Sequence, residues 1–288
     1  MIKNLFYSAL FVVLGTFSGF SQTTYYLQGA ISPVTPIDIT VLASWNTSPT
    51  GVGSVPLLTD FTDATVIWDL QGRFADVSSN LTIAGTLQNT GPTSSTISVN
   101  GATHLTLSGV VLAPLIAIQD LIGLGTVTYS GTGSDILPGF YTNLIISGNG
   151  TYTAAGNVFV STSLSTNNSI AAVNLDMTDH NLIGGNSFQI TGIGSGLFTI
   201  STQSDNIDPL PEIIWPTGTH ILFDGIVDTQ YIPSGSYDEL TLTNDGNLKI
   251  IAVNDTVAVR TEFDNYSLLA IGLESGFSSK TTFHTAFK

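Results

Sequence analysis

Apolar and polar residues alternate at period two along most of this chain. Leu81-Thr82-Ile83, Ile97-Ser98-Val99 and Leu105-Thr106-Leu107 each put apolar side chains on one side and hydroxyls on the other. Val127-Thr128-Tyr129, Leu240-Thr241-Leu242-Thr243, Leu248-Lys249-Ile250 and Val257-Ala258-Val259-Arg260-Thr261 do the same. In Val158-Phe159-Val160 the alternation turns Phe159 outward. This period predicts short, half-buried strands, and the β-branched and aromatic residues suit a pleated surface. Gly148-Asn149-Gly150, Asn167-Asn168, Gly184-Gly185-Asn186 and Asn244-Asp245-Gly246 punctuate the runs as turns. No long helical pattern competes. Val110 to Leu124 is apolar but broken by Pro114, Gln119, Asp120 and Gly123, so it reads as buried strands joined by a turn rather than a membrane span.

Two all-β architectures fit such strands: a parallel, right-handed β-helix or solenoid of short coils, and tandem β-sandwiches. An internal repeat favours the solenoid. Val127-Thr128-Tyr129-Ser130-Gly131 matches Ile221-Leu222-Phe223-Asp224-Gly225, Pro138 matches Pro233, and Tyr141 to Ser147 matches Tyr237 to Thr243. The offsets are 94, 95 and 96 residues in that order, which places small insertions in turns. At about 24 residues per coil the offset is about four coils. A coil cannot hide its apolar inside alone, whereas coils stacked at about 4.8 Å pair every backbone group with neighbours above and below.

The first 21 residues read as an export signal: Lys3, an apolar Leu5 to Leu14, then Gly19-Phe20-Ser21 with small residues at the cleavage positions. The expected organisation is a signal peptide over 1–21, an N-terminal cap with first strands over 22–70, solenoid coils over 71–264, and a polar tail or truncated continuation over 265–288. Export implies a secreted or cell-surface location, or the periplasm.

Composition removes several functions. The chain has 6 Lys and Arg against 21 Asp and Glu, a formal charge of -15, and no cysteine. A nucleic-acid interface needs a basic face that cannot be built here. Disulfides and thiolate metal sites are excluded. No Lys or Arg lies between Arg73 and Lys249, so the middle of the rod lacks the cation that cleavage of polyuronates needs.

Candidate chemistry is thin. Asp176 with Asp179, Asp205 with Asp208, and Asp224 with Asp228 are the carboxylate spacings a glycoside hydrolase could use, and also what turn residues look like. Asp205, Asp208 and Asp245 are the candidate ligands for a structural Ca2+, because clustered turn oxygens suit that ion, although Asx-turns explain them without metal. No other cofactor is expected. His104, His180, His220 and His284 lie far apart without paired ligand spacing. Trp45, Trp68 and Trp215 with Tyr25, Tyr26, Tyr129, Tyr141 and Tyr231 are expected to stack in the core or cap an end rather than form a sugar-stacking strip. The pairs Thr126-Thr128, Thr151-Thr153 and Thr241-Thr243 do not recur coil after coil, so no flat threonine array is expected.

The motif of a strand ending in Gly, then Pro, then Tyr-x-x-Leu-x-(Ile/Leu)-(Ser/Thr), at Val127 to Ser147 and Ile221 to Thr243, resembles secreted β-solenoid proteins of Bacteroidetes of the filamentous-haemagglutinin or adhesin-like kind. Ser44-Trp45-Asn46-Thr47, Gly51, Gly53, Pro56, Phe61 and Ala64 to Ile67 resemble their opening segment. The resemblance implies a non-enzymatic cell-surface or extracellular protein whose partners are glycans or other surface proteins. It also implies a C-terminal immunoglobulin-like sorting domain, which nothing after Val257 resembles. A carbohydrate-binding or glycoside hydrolase-like β-helix is the alternative function.

Overall fold

The computed structural model describes residues 22–112, 115–119, 124–166, 172–193, 198–226, 229–243, 247–252 and 255–271. The proposed signal peptide, Asp120, Asp228, Asp245, His284 and most of the C-terminal tail lie outside them. Among the described residues the fold is all-β with two short 3-10 turns and no α-helix. The strands pair in parallel from coil to coil. Thr24–Leu27 with Trp45–Asn46 is the antiparallel exception among the described residues. Tandem sandwiches need antiparallel hairpins, so the parallel ladders set that alternative aside. The chain is a β-solenoid.

Three strips of strands run along the rod. The first comprises Thr24–Leu27, Ile67–Asp69 and Thr86–Gln88. A bridge from Leu87 to Val111 and a 2.9 Å bond from Val111 N–H to Ser134 Oγ carry it onward. It continues as a seven-stranded sheet from Asp135–Ile136 through Gly150–Ala154, Val173–Asp176, Phe198–Thr202 and Thr219–Phe223 to Gly235–Leu242 and Val257–Asn265. The second strip stacks Ile37–Asp38, Phe74–Val77, Ser95–Val99 and Ile116–Gln119. The third stacks Leu81–Ile83, His104–Leu107 and Thr126–Tyr129. Gly139–Ile146 and Val158–Ser165 are long enough to serve the second strip with one half and the third with the other.

Alternation decides what fills the interior. Ala75, Val77, Ile97, Val99, Leu105 and Val127 point inward and are almost fully buried, the Val, Ile and Leu side chains each worth about 1.5–3 kcal/mol on leaving water. At the N-terminal end the strips are closed by rings. Trp68 stacks on Phe61 at 4.2 Å and on Tyr25 at 5.2 Å and meets Trp45 edge-on at 5.0 Å. Tyr25 also donates to Asp60 Oδ2 at 2.6 Å. Burial and that carboxylate push the Tyr25 phenol up to about 12. The expectation that the tryptophans serve core and cap holds: all three are fully buried.

The coil length is not constant. Val127 faces Leu144, 17 residues on, whereas Leu164 faces Ile190, 26 residues on. The four-coil reading of the internal repeat therefore needs correction. Thr126–Tyr129 lies in the third strip, but its match Thr219–Phe223 lies in the first, the fifth first-strip strand after it. The offset is four coils plus one face. The reason is that the motif encodes a corner rather than a face. Tyr141 Oη donates to Leu137 O at 2.5 Å, and Tyr237 Oη to Pro233 O at 2.7 Å, each four residues back. The ladder shifts register immediately after each tyrosine. Two consecutive residues, Tyr141-Thr142 and Tyr237-Asp238, are then buried as the strand bends from one strip to the next. Any corner of the rod can use that device.

Another corner is lined by glycine. A Cβ on Gly85 would meet Val66 O at 2.0 Å, on Gly109 it would meet Gly85 O at 2.0 Å, and on Gly148 it would meet Gly131 O at 1.7 Å. Each coil here rests its backbone directly on the coil below, and only glycine permits that approach.

Asp69 ties its own turn to the one that follows Thr86–Gln88, near the cap. It is 1% exposed and accepts bonds from Gln71 N–H, Thr90 N–H, Thr90 Oγ1 and Gln88 Nε2. Burial pushes its carboxyl up, but the Thr90 and Gln71 bonds together outweigh burial and hold it below the ordinary carboxylate value. A depressed folded-state value means the stabilisation is present above the unfolded value and is lost as pH falls through the folded one. Asp69→Asn, which offers one acceptor oxygen where two served, is expected to cost about 2 kcal/mol at neutral pH. The variant's melting temperature should fall less than the parent's between about pH 4 and pH 2. Parallel pH profiles of the two proteins would refute this role for Asp69.

Candidate functional site

The outward positions of the strips form columns with one residue per coil. On the third strip Thr82, Thr106 and Thr128 are register partners over three successive rungs. These are single threonines; the Thr126-Thr128 pair itself faces His104 and Thr106 on one side and Asn143 and Ile145 on the other. The column still ends at Ile145, the next partner, and His104 Nε2 sits 2.6 Å from Thr128 Oγ1, so it forms no extended flat array. Beside it run Thr126, Asn143 and Ser163, with Ser163 Oγ donating to Asn143 Oδ1 at 2.8 Å. The first strip presents Thr151 and Thr153, then Asn174 and Asp176, then Thr199. It ends in Glu239 and Thr241, then Glu262 and Asp264. Acidic density thus rises toward the C-terminal coils.

The second strip carries an apolar column. Gln119, Phe140, Phe159 and Ile183 are register partners on successive rungs. Phe140 is 52% exposed and Ile183 40%. The two phenyl rings lie 5.3 Å apart at an angle of 53°. Phe159 faces outward as its alternation with Val158 and Val160 predicts; Phe140 was not singled out, because Gly139-Phe140-Tyr141 straddles the change of face and shows no clean alternation. Farther along, Ile190, Ile213, Ile214 and Pro216 line an open groove of about 780 Å³ with Glu212 at its rim.

The residues expected to carry chemistry are dispersed. Asp205 and Asp208 are both exposed in one turn, where Asn206 bonds Ser204 and Asn181. Among the described residues no group of three or more His, Asp or Glu side chains converges as a metal site. His220 Nε2 lies 2.8 Å from Thr241 Oγ1, and His180 Nε2 lies 3.4 Å from Asp179 Oδ1. Trp215 stacks on Tyr237 inside the rod.

Sequence reasoning missed the polar interior of the last coils. The alternation Leu248-Lys249-Ile250 turns Lys249 outward; in the structure Lys249 is 0% exposed and its neighbours are only partly buried. Lys249 Nζ donates to Gly225 O at 3.3 Å and to Gln230 Oε1. Burial pulls its amine down to about 8, against the opposing charge of Asp224. Asp224 is raised above the ordinary carboxylate value, first by burial and then by the charge of Asp176. The fold therefore couples Asp224 to Asp176 and Lys249, a grouping that no spacing along the chain could reveal.

No family model, curated protein or solved structure matches this chain.

Proposed function

We propose that this protein is an exported, non-enzymatic β-solenoid acting at the cell surface or outside the cell as an adhesin-like or structural rod. The observation that carries this reading is the set of outward columns, Ser, Thr and Asn on the first and third strips and Phe140 with Phe159 on the second, repeated at coil spacing. Individually weak polar contacts presented on a stiff rod add through multivalency. The net charge of -15 with few charged residues supports solubility without strong repulsion between coils. Glycans or other surface proteins are the partners this chemistry fits.

Carbohydrate binding is the second reading, favoured by the exposed Phe140–Phe159 pair on one face. A panel of immobilised polysaccharides separates the possibilities. The expected result is retention on one or more glycans with no release of reducing ends. Release of reducing ends would overturn the non-enzymatic reading. Replacing Phe140 and Phe159 together with Ser is expected to weaken glycan retention at least about tenfold while leaving the melting temperature within a few degrees, because neither ring is in the core. Undiminished retention would remove the phenyl pair from the contact surface.

A further inference from the structure

Gln230 and Lys249 are Cα partners on adjacent parallel strands, Thr229–Tyr231 and Leu248–Ile251. Both side chains point into the rod and both are 0% exposed. Lys249 Nζ contacts the side-chain carbonyl oxygen of Gln230. The same oxygen accepts the Gly225 N–H at 2.9 Å. Gln230 Nε2 is held by Thr202 O at 2.9 Å and Ser204 O at 3.2 Å. Gly225 lies flat on this amide, since a Cβ there would stand 2.4 Å from Gln230 Cδ. Asp224, next in the chain, is electrostatically coupled to Lys249.

A side-chain amide resists a lysine in water because the amine is protonated and the carbonyl unpolarised. Here both obstacles are reduced. Burial favours the neutral, nucleophilic amine. The Gly225 N–H points at the oxygen on which negative charge would develop. Register fixes amine against amide, so the encounter costs no further ordering. Asp224, next in the chain to Gly225 and electrostatically coupled to Lys249, is the acid available to carry a proton.

We propose that Lys249 and Gln230 join in an autocatalytic isopeptide bond that staples two successive coils. Nζ attacks Cδ, a Cδ–Nζ bond forms and the Cδ–Nε2 bond breaks. One proton passes from Nζ to Nε2 by way of the Asp224 carboxyl, and ammonia leaves. Nothing is oxidised or reduced and no co-reactant is consumed. In a chain without cysteine the staple takes the part of a disulfide, closing a short loop and restricting the unfolded state.

Peptide mass spectrometry tests this on the purified full chain. Asp238 and Glu239 lie between the two residues, so a protease cutting at acidic residues separates them unless they are bonded. The expected product is one branched peptide containing both residues, lighter than the two linear peptides by one ammonia, and absent from Gln230→Ala and Lys249→Arg. Asp224→Asn is expected to slow its formation at least about tenfold, with Asp224→Glu restoring part of the rate. Recovery of Gln230 and Lys249 in separate, unmodified peptides from the folded parent overturns the proposal. Undiminished cross-linking in Asp224→Asn overturns the role given to Asp224.

Discussion

A Trp68→Ala variant is expected to lose about 3–5 kcal/mol of stability, the cost of deleting a fully buried indole that its surroundings cannot refill. Trp68 is the hub of the N-terminal cap, in ring contact with Tyr25, Trp45 and Phe61. These rings come from four separate elements between Thr24 and Asp69, each pinned by its own strand or turn, so no neighbouring element can close over the gap. Contacts in a solenoid run only between adjacent coils, and the damage should stay at that end. Denaturant titration followed by tryptophan fluorescence and far-ultraviolet dichroism would read both effects. The expected pattern is a two-step fluorescence change, an early step from Trp45 in the cap and a later one from Trp215 that coincides with the dichroism transition of the remaining coils. Trp68→Phe should recover roughly half of the loss. A midpoint equivalent to within about 1 kcal/mol of the parent would show that the ring cluster does not hold the cap.

The second large effect is expected at Gly109. Its α-hydrogen faces the Gly85 and Ala84 carbonyls, and a methyl group would sit 2.0 Å and 2.2 Å from those oxygens. Neither side yields easily, because both are corner backbone pinned by bonds to the coil below, Ala84 and Thr86 N–H to Phe61 and Val66 O and Ser108 N–H to Ile83 O. Gly109→Ala should therefore cost about 3 kcal/mol or more, at the upper end for overpacking, since a coil must tilt off its neighbour rather than a side chain change rotamer. The break falls between the coils of Leu81–Ile83 and His104–Leu107. Native-state hydrogen exchange should show faster exchange at Thr106 and Ser108 while Ile221 and Phe223 keep their protection. Gly101→Ala is the matched control: its Cβ would meet nothing within 4 Å, and only its positive φ of 68° opposes substitution. It should cost about 1 kcal/mol. Equal costs at the two positions would refute the stacked-glycine corner.

Much of the coil geometry is legible in single residues. Leu105-Thr106-Leu107 and Val257-Ala258-Val259 bury the side the alternation assigns. Tyr141 and Tyr237 mark corners because a phenol reaching back four residues needs a bend to close. Where alternation failed, a partner on another coil intervened. Lys249 faces inward because Gly225 O and Gln230 Oε1 offer its ammonium acceptors inside the rod. Asp176 was paired with Asp179 by spacing, yet it is Asp224, more than two coils away in the chain, that feels its charge. Asp205 and Asp208 share a turn as their spacing suggests, but both open to solvent.

By itself the sequence determined the strand period and the all-β class, written in neighbours one or two residues apart, and the stacking of coils, written in a motif that returns 94 to 96 residues later. Only the tertiary structure decided which face each copy of the Tyr motif occupies, that Phe140 joins Phe159 on the surface, and that Lys249 meets Gln230 within. Coil lengths vary from 17 to 26 residues beyond the cap, and the first coil spans 43 from Thr24 to Ile67, so the vertical register is a sum of many local turns. A sum of that kind is fixed by packing between coils, and no single stretch of the chain contains it.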